Sequence, residues 1–139
     1  MNPIRIDVIE KKKRIILDEI KVIEEAERRY KSDPSDAIVQ HALMHAMQNC
    51  IAAIIDIAQH VTSEKLGRTS ESYSEAIRDL GGAGVLDQPF ADAFSRVAKL
   101  RNVLVHLYDT VDIGFLFSLV PALIKDTKSF LRQLNKALA

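Results

Sequence analysis

The chain has 139 residues, 47% of them hydrophobic and 27% charged, which supplies the apolar side chains for one packed core and argues against two independent domains. Nineteen Lys and Arg balance nineteen Asp and Glu, so no field of the whole molecule steers it toward nucleic acid, and any such contact must be a local patch. A single cysteine excludes an internal disulfide, and a 6% aromatic share without Trp favours packed helices over strands.

In chain order, Asn2-Pro3 offers a start for a helix over about 4–31, where Ile9, Ile16, Ile20, Ile23 and Tyr30 recur at helical spacing between runs of Lys and Glu. The opening MNPIRIDVIEKKKRI carries charges every few residues, so no signal-peptide core is expected there, and the expected compartment is the cytoplasm. KSDPSD, 31–36, predicts a turn, with Pro34 at a first helical position and Ser32, Asp33 or Ser35 as cap. The second helix, about 35–65, stops at Gly67. Histidines aside, its one acid or base between Ala37 and Thr62 is Asp56. A helix apolar nearly all round belongs at the centre of a bundle, and it is also a candidate to meet a second subunit. Residues 37–55 come nearest to a membrane span, but Gln40, His41, His45, Gln48 and Asn49 interrupt them, and no membrane association is expected. Cys50, inside this run, reads as a small buried thiol.

Ser72 and Glu75 form a capping-box pattern that starts a short third helix ending at Gly81-Gly82. A fourth starts near Asp87 with Pro89 in its first turn and carries Phe90, Phe94 and Val97 at spacings of four and three. DTVD, 109–112, is a turn whose Asp112 can cap a last helix over about 113–138, which Pro121 should kink or split. These elements predict an all-α class, an up-and-down bundle of four to five helices with the two long ones first.

The fourth helix ends in KLRNVLVHLY, residues 99–108. Residues seven apart share a helix face, so Arg101 lines up with Tyr108, while Asn102 and His106 lie on a neighbouring stripe. Fraying near His106 would let all four converge on one small site. The ordinary account is that Arg101 pairs with an acid and His106 caps the last carbonyls, where the helix dipole favours its charged form.

RNVLVHLY, an Arg-x4-His-x-Tyr pattern, resembles the signature of the HEPN superfamily, in its HepT branch of toxins encoded beside a minimal nucleotidyltransferase (MNT) antitoxin. The similarity extends through IAAIIDIAQHVTSEKLG, SYSEAIRDLGGAGVL and FADAFSRVAKLRNVLVHLYDTVD to the closing helix, about residues 36–135. One departure is Leu107, where a Gly or another small residue is expected. The resemblance implies one HEPN-like helical domain over 1–139 with the motif at the end of helix four. It also implies an endoribonuclease that works on RNA as a homodimer, without metal or cofactor, through Arg101 and His106. A cognate MNT antitoxin is the implied partner, transferring AMP to the Tyr108 hydroxyl.

Metal-free RNA cleavage can use the ribose 2'-OH as nucleophile and needs a base, an acid and positive charge near the phosphorus oxygens. His106, with an ordinary pKa of about 6.5, suits proton transfer near neutral pH. Arg101 offers a planar fork of donors and stays charged. One histidine cannot serve as base and acid on opposite sides of phosphorus at once, so a two-fold dimer joining two motifs is the economical solution. Asn102 would orient His106 or bond to phosphate. Tyr108 could instead stack on the helix end or on a base. Arg96 and Lys99 read either as a basic approach to the site or as a solvated face. Asp56, a lone acid in an apolar helix, needs a cationic or hydrogen-bonding partner, for which Arg101 is a candidate. The pairs His41–His45 and Asp56–His60 have metal-ligand spacing but lie too far apart to share an ion, so a satisfied polar stripe is expected. The competing function is a non-catalytic helical module that binds the nucleotidyltransferase and helps it recognise its substrate. A helical interaction domain of unrelated role is the third.

Overall fold

The computed structural model describes residues 4–106 and 112–139, the side chain of His106 excepted. They form α1 (Ile6–Ser32), α2 (Ala37–Leu66), α3 (Tyr73–Gly82), α4 (Gln88–Phe94), α5 (Val97–His106), α6 (Ile113–Ser118) and α7 (Val120–Ala137), with no strand among the described residues.

α1 turns Ile9, Ile16, Ile20, Ile23 and Ala26 inward and leaves its Lys and Glu exposed or half-buried at the rim. Its last turn is anchored by Tyr30, whose ring stacks on Phe117 at 3.7 Å. In the turn that follows, the Asp33 carboxylate accepts from the Ser35 amide and hydroxyl. That leaves the cap of α2 to Asp36, which accepts from the amides of Ile38 and Val39 at 2.9 and 3.3 Å. The expected caps, Ser32, Asp33 and Ser35, are therefore not used, and Pro34 stays outside the helix.

α2 buries residues on most of its circumference, from Val39 to Thr62, and ends at Gly67 in a left-handed conformation with φ 68°. It is long and apolar enough to cross a membrane, yet 56% of its most apolar stretch is buried inside the protein, which is how a central bundle helix behaves. α1 packs along it on one side, α3 and α5 on another, and α7 closes over α1.

Ser72 accepts from the Glu75 amide at 3.1 Å, as a cap should, but the Glu75 carboxylate reaches the Glu71 amide rather than that of Ser72. The predicted fourth helix is two helices, and the motif accordingly ends the fifth. The Ser95 hydroxyl donates to the Asp92 carbonyl at 2.7 Å, while the Ser95 carbonyl accepts from the Ser74 hydroxyl and from the Ala98 amide. A serine bonded to its own turn and held from α3 tightens the backbone there and separates α4 from α5. The last helix is split as expected. Pro121 sits in the first turn of α7, α6 stops before it, and the Leu119 amide turns back to Leu116 at 3.1 Å. All helices contribute to one apolar cluster, in which Phe130 packs on Phe94 at 5.4 Å and Phe94 on Phe90 at 5.1 Å.

Candidate functional site at the end of α5

α5 is fastened by Val97, Ala98 and Leu104, all buried. Arg101 lies on the same flank and is half-buried, with its guanidinium carbon 5.0 Å from the centre of the Tyr73 ring. Tyr73 is the first residue of α3, and the Ser72 cap fixes where its backbone starts. The loop leading to it is tied down by Asp79, which accepts from the Ser70 hydroxyl at 2.9 Å and pairs with Arg68 at 3.3 Å.

Among the described residues no carboxylate pairs with Arg101. Asp56, its expected partner, instead accepts from Lys12 of α1 at 2.8 Å. The reason is the side of α2 on which Asp56 lies: that flank is covered by α1, and the carboxylate remains open to solvent there.

A cleft of about 380 Å³ opens beside this contact. Lys99 and Asn102, one turn apart on α5, line it together with Gln59 of α2 and Ser72, Tyr73 and Ser74 at the start of α3. The structure thus brings Lys99, Asn102 and Arg101 to one end of the bundle. Arg96 is not with them, because the break at Ser95 turns it to the groove bordered by Leu100, Leu119 and Asp126. His106 is the last residue of α5, four positions after Asn102 and so on its stripe. The His106 side chain and Tyr108, the expected modification site, lie outside the described residues.

Tyr73, Gln59 and Ser74 were not singled out from the sequence. The capping pattern announces Ser72, but no spacing rule joins a residue at the start of α3 to one near the end of α5.

The histidines of α2 are each engaged. His41 bonds through Nδ1 to the Ala37 carbonyl at 2.7 Å, His45 Nε2 meets the Asn49 amide at 3.0 Å, and His60 Nε2 accepts from the Arg5 amide at 3.2 Å. Burial pushes the Glu19 carboxyl up, opposed by His45. Burial, with the Glu19 charge added, pushes the Cys50 thiol up to about 12, so no nucleophilic thiolate forms near neutral pH.

The sequence profile of the family described as Ribonuclease HepT-like matches residues 16–134. The mRNA nuclease HepT of Shewanella oneidensis is 26% identical over 96 residues, 69% of this chain and 72% of that protein. The tRNA nuclease HepT of Aphanizomenon flos-aquae is 30% identical over 92 residues, 66% of this chain and 63% of that protein. Among solved structures, the tri-AMPylated Shewanella oneidensis HEPN toxin in complex with MNT antitoxin superposes with a TM-score of 0.83 over 98% of this chain and 99% of that one, at 24% identity. The cytosolic protein of unknown function YutE from Bacillus subtilis does so with a TM-score of 0.84 over 99% and 93%, at 20% identity. The likeness to the Shewanella toxin shows the fold as HEPN-like, and YutE shares that fold.

Proposed function

Because the chain belongs to the HepT-like ribonuclease family, we propose that it is a metal-independent endoribonuclease toxin, one HEPN-like domain over residues 1–139, active as a homodimer. The reading is carried by one observation: an arginine without a described acidic partner lies against the Tyr73 ring, beside a cleft that also holds Lys99 and Asn102, on the helix that ends in His106.

In the proposed reaction His106 of one subunit takes the proton of a ribose 2'-OH, and that oxygen attacks the adjacent phosphorus. The bond from phosphorus to the 5'-oxygen breaks, and the second subunit's His106 returns a proton to the leaving oxygen. The products are a 2',3'-cyclic phosphate and a 5'-hydroxyl. Arg101 meets the charge that grows on the non-bridging oxygens, a contribution of about 10² to 10³ in rate for a donor of this kind. Asn102 and Lys99 hold the neighbouring phosphate or orient His106. A cognate MNT nucleotidyltransferase neutralises the toxin by AMPylation. The Tyr108 hydroxyl attacks the α-phosphate of ATP, pyrophosphate leaves, and the added AMP blocks the cleft with bulk and negative charge. Support comes from the Shewanella toxin, which is AMPylated and bound to its MNT antitoxin in the solved complex.

The test is cleavage of a pool of cellular RNA in EDTA by wild type, Arg101→Ala and His106→Ala, with the product ends identified. Wild type is expected to leave cyclic phosphate ends, and each variant to lose about 100-fold or more in rate. Absence of cleavage by unmodified wild type would turn the reading to the non-catalytic module.

A further inference from the structure

The neutral total of the chain hides a segregation of charge on α7. Leu123, Thr127, Phe130 and Leu134 define its buried face. With a turn of about 100° per residue, Lys125, Lys128, Arg132 and Lys136 fall within an arc of about 80° centred opposite to that face. All four lie on the outer side of the helix, away from the core. The one carboxylate of the helix, Asp126, lies off this arc and borders the groove toward α4 and α5. At about 1.5 Å per residue the row is about 16 Å long, with a cation at every turn.

One flank of the row opens into a groove of about 600 Å³ between α1 and α7. The two helices run antiparallel there, since Lys13 Nζ donates to Asn135 at 2.7 Å while Lys128 approaches Glu24 at 4.0 Å. α1 adds Lys13 and Arg14 to the groove, and its one acid there, Glu10, is engaged with Lys13. Among the described residues Arg14, Lys125, Arg132 and Lys136 make no ion pair.

Solubility asks for charges of both signs interspersed, whereas like charges one turn apart repel. Apart from Lys128, which Glu24 approaches, the row is therefore left without a counter-charge until an anion covers it. A protein interface would also need apolar or aromatic anchors at its centre; the arc from Lys125 to Lys136 carries none, and the groove beside it offers Leu17 and the mostly buried Leu131 but no aromatic side chain. Evenly repeated cations without donors fixed in a pocket match a repeated charge rather than a base edge.

We propose that the row Lys125, Lys128, Arg132 and Lys136, with Arg14 across the groove, is a second, non-catalytic RNA site that holds backbone phosphates of the substrate away from the α5 cleft. The proposal rests on the ribonuclease reading above. It makes binding at the row independent of base sequence and dependent on RNA length.

The experiment measures fluorescence anisotropy of a 5'-fluorescein single-stranded RNA of about 20 nucleotides in EDTA, with the full chain carrying His106→Ala so that the probe survives. Adding K125Q, K128Q, R132Q and K136Q together is expected to weaken binding about tenfold or more. The slope of log K against log salt is expected to flatten by about 2 to 3, since each phosphate that the row no longer neutralises removes about 0.7. Arg14→Gln alone gives a smaller effect in the same direction. With His106 intact, the four-residue variant is expected to cleave a dinucleotide, too short to reach the row, at the wild-type rate. Unchanged affinity and slope for the long RNA overturn the proposal, and dinucleotide cleavage by the same protein would then leave the ribonuclease reading standing. If wild type cleaves nothing yet binds the long RNA through the row, the row is upheld and the catalytic reading falls. If the variant keeps its RNA affinity but no longer captures its nucleotidyltransferase, the row is a protein-docking surface and the proposal is wrong.

Discussion

Arg101 rests against an aromatic face, an arrangement that suits the proposed phosphate site. A carboxylate would satisfy the guanidinium and neutralise it, whereas a ring positions it, leaves its charge intact and keeps in-plane N–H donors for an incoming anion. The expectation that Asp56 would do the positioning rested on composition alone, since a lone acid in an apolar helix needs a cation, and Lys12 supplies it. Cys50 carries a testable consequence of burial at the same scale. An unfolded thiol titrates near about 8.5, and the folded one is pushed up to about 12. Between those values the folded state keeps a proton that the unfolded state releases, so the thiol's contribution is complete below about pH 8.5 and is lost as pH rises. Wild type is expected to lose stability faster than Cys50→Ala between about pH 8.5 and 10, by at most about 1.4 kcal/mol per pH unit, measured as denaturant midpoints.

At the scale of the element, caps decide where the helices that carry the site begin. Asp36 starts α2, Ser72 starts α3, Asp87 starts α4 and Asp112 starts α6, each accepting from an amide that the helix leaves unpaired. Asp36→Ala is expected to cost about 1 kcal/mol and about 4 °C in thermal midpoint, read by circular dichroism, because both the Ile38 and Val39 amides lose their acceptor. The break between α4 and α5 is of another kind. Ser95 looks like an ordinary polar residue inside a helical pattern, and its bond to Ser74 comes from another element. With that bond at the break and Val97, Ala98 and Leu104 buried beyond it, Lys99 and Asn102 lie on the cleft and Arg96 lies on another groove.

At the scale of the molecule, the aromatic run from Phe90 through Phe94 to Phe130 ties the last helix to the one that precedes the motif. Phe130 is fully buried. Phe130→Ala is therefore expected to cost about 3 to 5 kcal/mol in urea unfolding, through the transfer energy of the ring and the cavity left behind. The sequence by itself determined the helical class, the two long leading helices, the stops at Gly67 and Gly82, the split at Pro121 and the Arg-x4-His spacing of Arg101 and His106. Each is a property of neighbours along the chain: hydrophobic period, a missing N–H, glycines that weaken a helix and at Gly67 take a positive φ, a motif at fixed spacing. Only the tertiary structure decided that Tyr73 receives Arg101, that Lys12 takes Asp56, that Ser74 fastens the break at Ser95, and that α1 lies beside the cationic row of α7. Those pairings join residues from different helices, and which faces meet is settled by how the whole apolar surface is buried at once.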